Sequence, residues 1–378
     1  MNIDSFISGR FITQTDYKSF LPESINNEWI ISNPEVNVLL AEANRLLGEL
    51  NAFSQLIPDV DFFISMHILK EATTSSQIEG TKTNMEEALV KIEDINPEKR
   101  DDWAEVQNYI NAINFSIGEL ERLPISNRLI KNAHKVLLSG VRGKHKIPGE
   151  FRTSQNWIGA TLKDAIFIPP HFNEIPDLMS DLEKFIHNEE IKVPHLIKIA
   201  IIHYQFETIH PFLDGNGRLG RLLITLLLVS TGILKKPALY LSDFFEKNRN
   251  YYYDNLMVVR TSNNLVQWLK FFLIGIIETS NSSIQVFKKI IELRREIETV
   301  KLLKLGVKID KGHALLNYLY QKPIIESKEV SETMKISVAT ANRLIAQFVE
   351  MEILTELTGY KRNRKFIFKE YFDIFQSK

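Results

Sequence analysis

The chain has 378 residues, 44% hydrophobic and 25% charged, with a net charge of −1. That balance excludes wholesale disorder and leaves no global field to draw the protein onto nucleic acid or a membrane. Cysteine is absent, which excludes disulfides, thiolate catalysis and Cys-ligated zinc. Gly (16) and Pro (13) are sparse, so helices are favoured over turn-rich β architecture. At roughly 150 residues per domain, the length predicts two or three domains.

Residues 1–34 read as irregular, with Pro22 and Pro34 as breakers. The N-terminus lacks a basic segment and a long apolar one, so no signal peptide is expected. From Glu35 apolar residues recur at helical spacing: Val38, Leu39, Ala43, Leu46, Leu47 and Leu50. A second helix is expected over 61–77, with Gly80 as its stop. Further helices are expected over 84–93, 102–123 and 126–138.

Helical periodicity then fails between Gly140 and His171. Within this stretch Trp157 and Ile158 precede a turn, and Ile166, Phe167 and Ile168 follow it, so a small β-hairpin is expected. Helices resume over 175–188, 194–209, 218–231, 242–260, 265–280 and 282–303. The longest apolar run, 222–234, is shorter than the roughly 20 residues a bilayer demands. We therefore expect a cytoplasmic protein with no membrane partner.

Residues 301–378 differ in character. They hold 14 Lys/Arg and 9 Asp/Glu, a net of +5, against −6 for the remainder. The order helix (313–320), strand (323–325), helix (327–333), helix (338–352), strand (353–355), strand (366–368) is that of a winged helix-turn-helix. In such a module Thr340, Asn342, Arg343 and Gln347 face a DNA groove, and Lys361, Arg362, Arg364 and Lys365 contact phosphates. Protein docking is the other common use of this module. The domains are therefore expected at 1–110, 111–300 and 301–378.

One segment carries chemistry: His210-Pro211-Phe212-Leu213-Asp214-Gly215-Asn216-Gly217-Arg218-Leu219-Gly220-Arg221. Pro211 disfavours the right-handed helical conformation at His210, so the preceding helix should end there and expose an imidazole. Gly215 and Gly217 permit a sharp turn and close approach to a ligand. They lead into a helix N-terminus, whose free N–H groups suit an anion. Arg218 and Arg221 share one face of that helix, and their guanidinium forks suit polyphosphate. Asp214 is a hard ligand for Mg2+ that also binds phosphate oxygens. His210 is suited to general base catalysis. Together these residues spell transfer of a nucleotide phosphate to a nucleophile deprotonated by His210.

The segment resembles the Fic family motif, His-Pro-Phe-x-Asp/Glu-Gly-Asn-Gly-Arg-x-x-Arg, at every specified position. The resemblance implies an all-α Fic fold with a small β-hairpin flap. It implies transfer of AMP from ATP to a Tyr, Thr or Ser hydroxyl of a target protein or of the chain itself. By this likeness His210 is the base, Asp214 holds Mg2+, and Gly215, Asn216 and Gly217 form the anion hole. Arg218 contacts the phosphates, Arg221 holds the γ-phosphate, and Leu219 and Gly220 complete the nucleotide-binding segment. The related Doc toxins, which phosphorylate their target, carry Lys where Gly217 stands, so Gly here favours AMP transfer.

The stretch from Gly149-Glu150-Phe151-Arg152 to Ile168 resembles the family's flap. Trp157, Ile158, Gly159, Ile166, Phe167 and Ile168 would dock the target as an added strand. Asn248 resembles a residue of the adenosine pocket. Ser75-Ser76-Gln77-Ile78-Glu79-Gly80 matches the family's inhibitory motif, Ser/Thr-x-x-x-Glu-Gly/Asn. Glu79 is then expected to form a bidentate pair with Arg221 in the place the γ-phosphate needs. In similar proteins the same Glu also supports removal of AMP, so a deadenylylating hydrolase is an alternative. A DNA-binding regulator with a nucleotide-sensing pocket is another. A homodimer is expected by likeness, and the base of the nucleotide donor is not readable from these residues.

Overall fold

The computed structural model describes residues 1–56, 60–141, 145–359 and 364–376. Helix α7 (His195–Ile209) is its centre, buried from Leu196 to Ile209 except at Lys198. A helix apolar on all sides is stable only where other elements surround it. Helix α8 (Asn216–Ser230) packs beside it, and the long α11 (Leu265–Glu296) closes another side. Trp268 of α11 donates its indole N–H to the Ala200 carbonyl of α7 at 2.9 Å. Helix α1 (Pro34–Leu56) lies along α11.

Helix α2 (Val60–Ile78) runs past α8 and carries Ser75 near its end. It is followed by α3 (Met85–Leu89), α4 (Arg100–Glu119), and α5 (Asn127–Leu137), which Ser126 caps. The α3 helix stops short of residue 93, and Ile92–Asp94 forms a 3-10 turn instead. After the flap comes α6 (Ile175–His187).

Other features also differ from expectation. Residues 1–34 contain an antiparallel hairpin, β1 (Gly9–Thr13) with β2 (Lys18–Pro22). Pro22 ends a strand rather than breaking a loop. The expected helix 242–260 is two helices, α9 (Ser242–Lys247) and α10 (Arg249–Ser262), which meet at Asn248 with φ −113° and ψ 33°. The two helices expected over 265–303 are one, because Ser280 and Ser283 are buried by tertiary packing that overrides their modest propensity.

The tail folds as α12 (Ile309–Gln321), β5 (Ile324–Glu326), α13 (Ser327–Thr333), α14 (Val338–Glu350), β6 (Thr355–Glu356), β7 (Lys365–Ile367) and α15 (Lys369–Gln376). Its strands form an antiparallel sheet in the order β5-β7-β6. The terminal helix α15 was not expected from the sequence. The tail packs onto α2, with the Phe63 ring 4.9 Å from Tyr320 and the His67 ring 5.2 Å from Phe375. No helix among the described residues is long and apolar enough to cross a membrane.

Candidate active site

His210 caps α7 in the left-handed conformation, φ +51° and ψ 59°. Pro211 forbids continuation of the helix, so the chain turns at His210 and runs into the Gly215 corner, φ +76°. The loop between is braced from within. Asn216 accepts the Phe212 N–H (2.9 Å) and donates to the Phe212 carbonyl (2.8 Å). Its side chain is therefore committed to the loop, and it serves an anion only through its backbone N–H. The N–H groups of the first turn of α8 have no intrahelical partners.

His134 of α5 braces the loop from outside. Its ring stacks on Phe212 with centroids 3.8 Å apart. Nδ1 accepts from the Gly149 N–H at 2.8 Å, so Nε2 carries the proton and donates to the Asp214 carbonyl at 3.0 Å. Arg152 holds the other end. Its Nε donates to the His210 carbonyl (3.0 Å) and an Nη2 proton reaches the Pro170 carbonyl (2.6 Å). Arg152 is a buried cation solvated by backbone carbonyls, and burial lowers its pKa to about 10. Both braces are single residues far from the motif in sequence, and sequence reading missed them as site residues.

The His210 imidazole is half-buried rather than exposed. Its Nδ1 is enclosed without a hydrogen-bond partner. Burial first, then the charges of Arg260 and Arg152, lower its pKa to about 4. The ring is therefore uncharged at neutral pH and able to accept a proton.

Arg221 is almost wholly buried, with 2% of its side chain exposed. Nε donates to Ser75 Oγ (2.8 Å), and Nη2 donates to the Ser75 carbonyl (2.9 Å) and to Glu79 Oε1 (2.7 Å). The expected bidentate Glu79 pair is thus replaced by a single bond from Nη2, which Ser75 shares while also accepting from Nε. Burial pushes the Glu79 carboxyl up, but Arg221 outweighs it and holds the pKa below the usual range. A Cβ on Gly217 would stand 2.4 Å from Glu79 Oε1 and 3.0 Å from Arg221 Nη1. The Glu79 carboxylate therefore lies directly over the first turn of α8.

Arg218 is buried, with guanidinium nitrogens 3.7 Å from both Glu105 and Asp214. The Asp214 carboxylate is half-exposed and accepts the Gly215 N–H at 2.6 Å. Among the described residues no three His, Cys, Asp or Glu cluster to hold a metal alone. One accessible carboxylate beside a helix N-terminus suited to anions does fit Mg2+, which commonly takes one or two carboxylates with substrate phosphates and water.

Behind the motif, Glu207 sits against Gly220, and an added Cβ there would lie 2.2 Å from Glu207 Oε1. Gly220→Ala is expected to cost about 1–3 kcal/mol through overpacking, read as a fall in the midpoint of urea unfolding. Glu207 Oε1 has no hydrogen-bond partner, and burial raises the carboxyl pKa to about 7. Between the unfolded value near 4.5 and 7 the unfolded chain has lost this proton while the folded chain keeps it. Glu207 therefore makes the fold less stable as pH rises through that window. Glu207→Gln is expected to stabilise the protein at pH 8 relative to wild type by on the order of 3 kcal/mol. The advantage should vanish near pH 4, and unfolding titrations at both pH values check it.

His203 lies within this layer, with Nδ1 3.0 Å from the Gly220 carbonyl and Nε2 2.9 Å from the Tyr252 hydroxyl. Leu219 is buried in the core. Asn248 donates to the Phe244 carbonyl at 3.0 Å within the α9–α10 kink, and none of its hydrogen bonds reaches residues 210–221.

The flap is shorter than expected: β3 (Ile158–Gly159) pairs with β4 (Ala165–Phe167), and Trp157 and Ile168 lie just outside the strands. Ile166 is 70% exposed, whereas Phe167 is buried beneath the Arg260 guanidinium, 3.9 Å from its ring centre. The N-terminal hairpin supports the flap, as the Phe20 N–H donates to the Ile168 carbonyl at 2.9 Å.

In the tail, Asn342 and Arg343 of α14 are exposed, but Thr340 and Gln347 are half-buried. Arg364 is paired with Glu356, and Lys365 with Asp94 at 2.5 Å. These pairings reduce what the tail offers to phosphates. Lys361 and Arg362 lie outside the described residues.

A charged cradle on a helix N-terminus, a facing imidazole and a flanking hairpin together make a site whose chemistry suits an anionic ligand. Residues 38–118 match the family described as Fic/DOC family N-terminal, and residues 124–228 match the Fic/DOC family. The chain thus carries, one after the other, a Fic/DOC N-terminal domain and a Fic/DOC domain. It is 39% identical over 125 residues to a protein adenylyltransferase Fic of Drosophila erecta, 33% of this chain and 23% of that protein. It is 35% identical over 111 residues to the protein of the same name in Aedes aegypti, 29% of this chain and 20% of that protein. The matches thus span about a fifth of the length of these curated relatives.

Among solved structures, a Fic family protein from Desulfovibrio desulfuricans superposes with a TM-score of 0.57 at 19% identity. That likeness covers 90% of this chain and 98% of the other. Fic-1 from C. elegans gives 0.51 at 22% identity over 68% of this chain and 73% of the other. These likenesses show the fold.

Proposed function

We propose that the protein is an autoinhibited adenylyltransferase that moves AMP from ATP to a hydroxyl of a target protein or of itself. The observation that carries this reading is the pairing of Glu79 with Arg221 directly over Gly217. A carboxylate held on a helix N-terminus by an arginine stands where a phosphate would bind. The names of the curated relatives support the reading.

In the reaction His210 accepts the hydroxyl proton at Nε2, since Nδ1 is enclosed. The hydroxyl oxygen forms a bond to the α-phosphorus, and the bond to the departing pyrophosphate breaks. The backbone N–H groups at 216–218 and the Arg218 guanidinium stabilise the charge that develops. Asp214 would hold Mg2+, which neutralises phosphate charge when bound. Arg221 binds the γ-phosphate only when Glu79 leaves it. The exposed Ile166 edge of the flap lays the target strand beside His210.

The test is intact mass of a Glu79→Gly variant after incubation with Mg2+ and each common nucleoside triphosphate in turn. Gain of one AMP with ATP supports the reading. No nucleotide gain with any donor contradicts transfer.

A further inference from the structure

Arg260 of α10 is a buried cation that the reaction above does not use, with 5% of the residue exposed. Its Nε donates to Thr208 Oγ1 at 3.1 Å, and its Nη1 reaches the Met257 thioether at 3.6 Å. The guanidinium carbon lies 3.9 Å from the centre of the Phe167 ring, a cation–π contact. A hydroxyl, a thioether and a ring therefore hold the charge, and no carboxylate among the described residues forms an ion pair with it. Desolvating a cation without such a pair costs more than burying an apolar side chain of similar size. Packing alone gives no reason for an arginine here.

These contacts join the flap to the end of the helix that carries His210. Thr208 sits in the last turn of α7, two residues before His210. Phe167 sits on β4 opposite Ile158 of β3, and is 3% exposed. Side chains alternate along a strand, so Phe167 faces inward where its neighbour Ile166 faces solvent. The Phe20 ring also packs on Phe167, with centroids 6.0 Å apart. The depth at which Phe167 seats against Arg260 thus sets the height of the Ile166 edge relative to the imidazole. Arg152 secures the base of the flap through the Ser154 and Pro170 carbonyls, and Arg260 secures its strand.

We propose that Arg260 is a positioning residue for the protein acceptor: it fixes the flap at the distance from His210 that a docked hydroxyl needs. The acceptor role rests on the adenylyltransferase reading, whereas the clamp between flap and helix does not. Arg260 acts through Phe167 and Thr208. None of its contacts involves residues 214–221, so the nucleotide subsite does not depend on it. Reacting groups misplaced by about 1 Å can lose on the order of 10²-fold in rate. A flap that seats loosely therefore transfers slowly while the nucleotide still binds.

The experiment compares Arg260→Met with its parent and is read first without transfer. By hydrogen exchange of the full chain, amides of the flap strands should open at least about fivefold faster, with those of α7 and α8 unchanged. Transfer is then read in a Glu79→Gly background at pH 8, where even an imidazole of ordinary pKa is uncharged. AMP incorporation should fall about 10- to 100-fold. Affinity for α,β-methylene-ATP, which cannot transfer AMP, should change by less than about twofold in calorimetry. Phe167→Leu should give the same loss, and the double variant no more than either single one, because the pair acts as a unit. Thr208→Val, which removes only the accepting hydroxyl, replaces Arg260→Met should that variant not fold. Unchanged flap exchange, transfer within about threefold of the parent, or a parallel loss of nucleotide affinity each overturns the proposal. If the Glu79→Gly parent transfers no AMP while Arg260→Met still loosens the flap, the adenylyltransferase reading fails and takes the acceptor role with it, and the clamp stands.

Discussion

His210→Ala is expected to lower AMP transfer by roughly 10²- to 10⁴-fold, the range that a positioned general base contributes. The structure makes the imidazole hard to replace. Its backbone carbonyl is held by Arg152 Nε at 3.0 Å, and its left-handed φ of +51° is fixed by the junction with Pro211. No other described histidine is free for the task at the loop, since both ring nitrogens of His134 are engaged. The loop braces themselves do not involve the His210 ring, so the variant should keep its melting temperature while losing transfer. Because the pKa is lowered to about 4, the acid limb of kcat/KM should fall near pH 4 rather than near the ordinary histidine value of about 6.5. Initial rates of label transfer from α-labelled ATP across pH, measured in a Glu79→Gly background, check both statements.

Glu79→Gly is expected to raise auto-modification about 10- to 100-fold. A hydrogen bond between charged groups is worth about 1.5–3 kcal/mol, which is the hold a γ-phosphate must break to reach Arg221. The substitution activates rather than disorders because Ser75 retains Arg221 through two bonds, at 2.8 and 2.9 Å. The guanidinium stays aimed while its competitor is gone. Ser75 is thus a positioning residue for Arg221, and Glu79 is the part that yields. The rate of AMP incorporation in Glu79→Gly against wild type measures the effect.

The chemistry was legible wherever it is written in consecutive residues. Residues 210–221 carry the imidazole, the carboxylate, the glycine corner and both arginines of the candidate site within twelve positions, and Arg218 and Arg221 are related by helical geometry alone. The bond between Glu79 and Arg221 spans 142 positions, and only family likeness connected them. Likeness suggested a bidentate pair; the structure shows Ser75 sharing the arginine. Arg152 and His134 act through partners remote in sequence, and a single residue has no periodicity to announce it.

The fold shows the same division. Buried helices such as α7 follow from a continuous apolar pattern. The β1–β2 hairpin escaped because its strands are only five residues long and the second ends on a proline. The break at Asn248 has no Gly or Pro to signal it. The unbroken α11 runs through Ser280, Asn281, Ser282 and Ser283, a polar stretch that reads locally as a gap.

The most direct test of the central claim compares wild type, Glu79→Gly, and Glu79→Gly with His210→Ala, each incubated with α-labelled ATP and Mg2+ and resolved by intact mass. The account predicts weak labelling of wild type, strong gain of AMP in Glu79→Gly and none in the double variant. Equal labelling of wild type and Glu79→Gly would contradict the inhibitory role of the Glu79–Arg221 contact, and labelling that survives loss of His210 would contradict its role as the base.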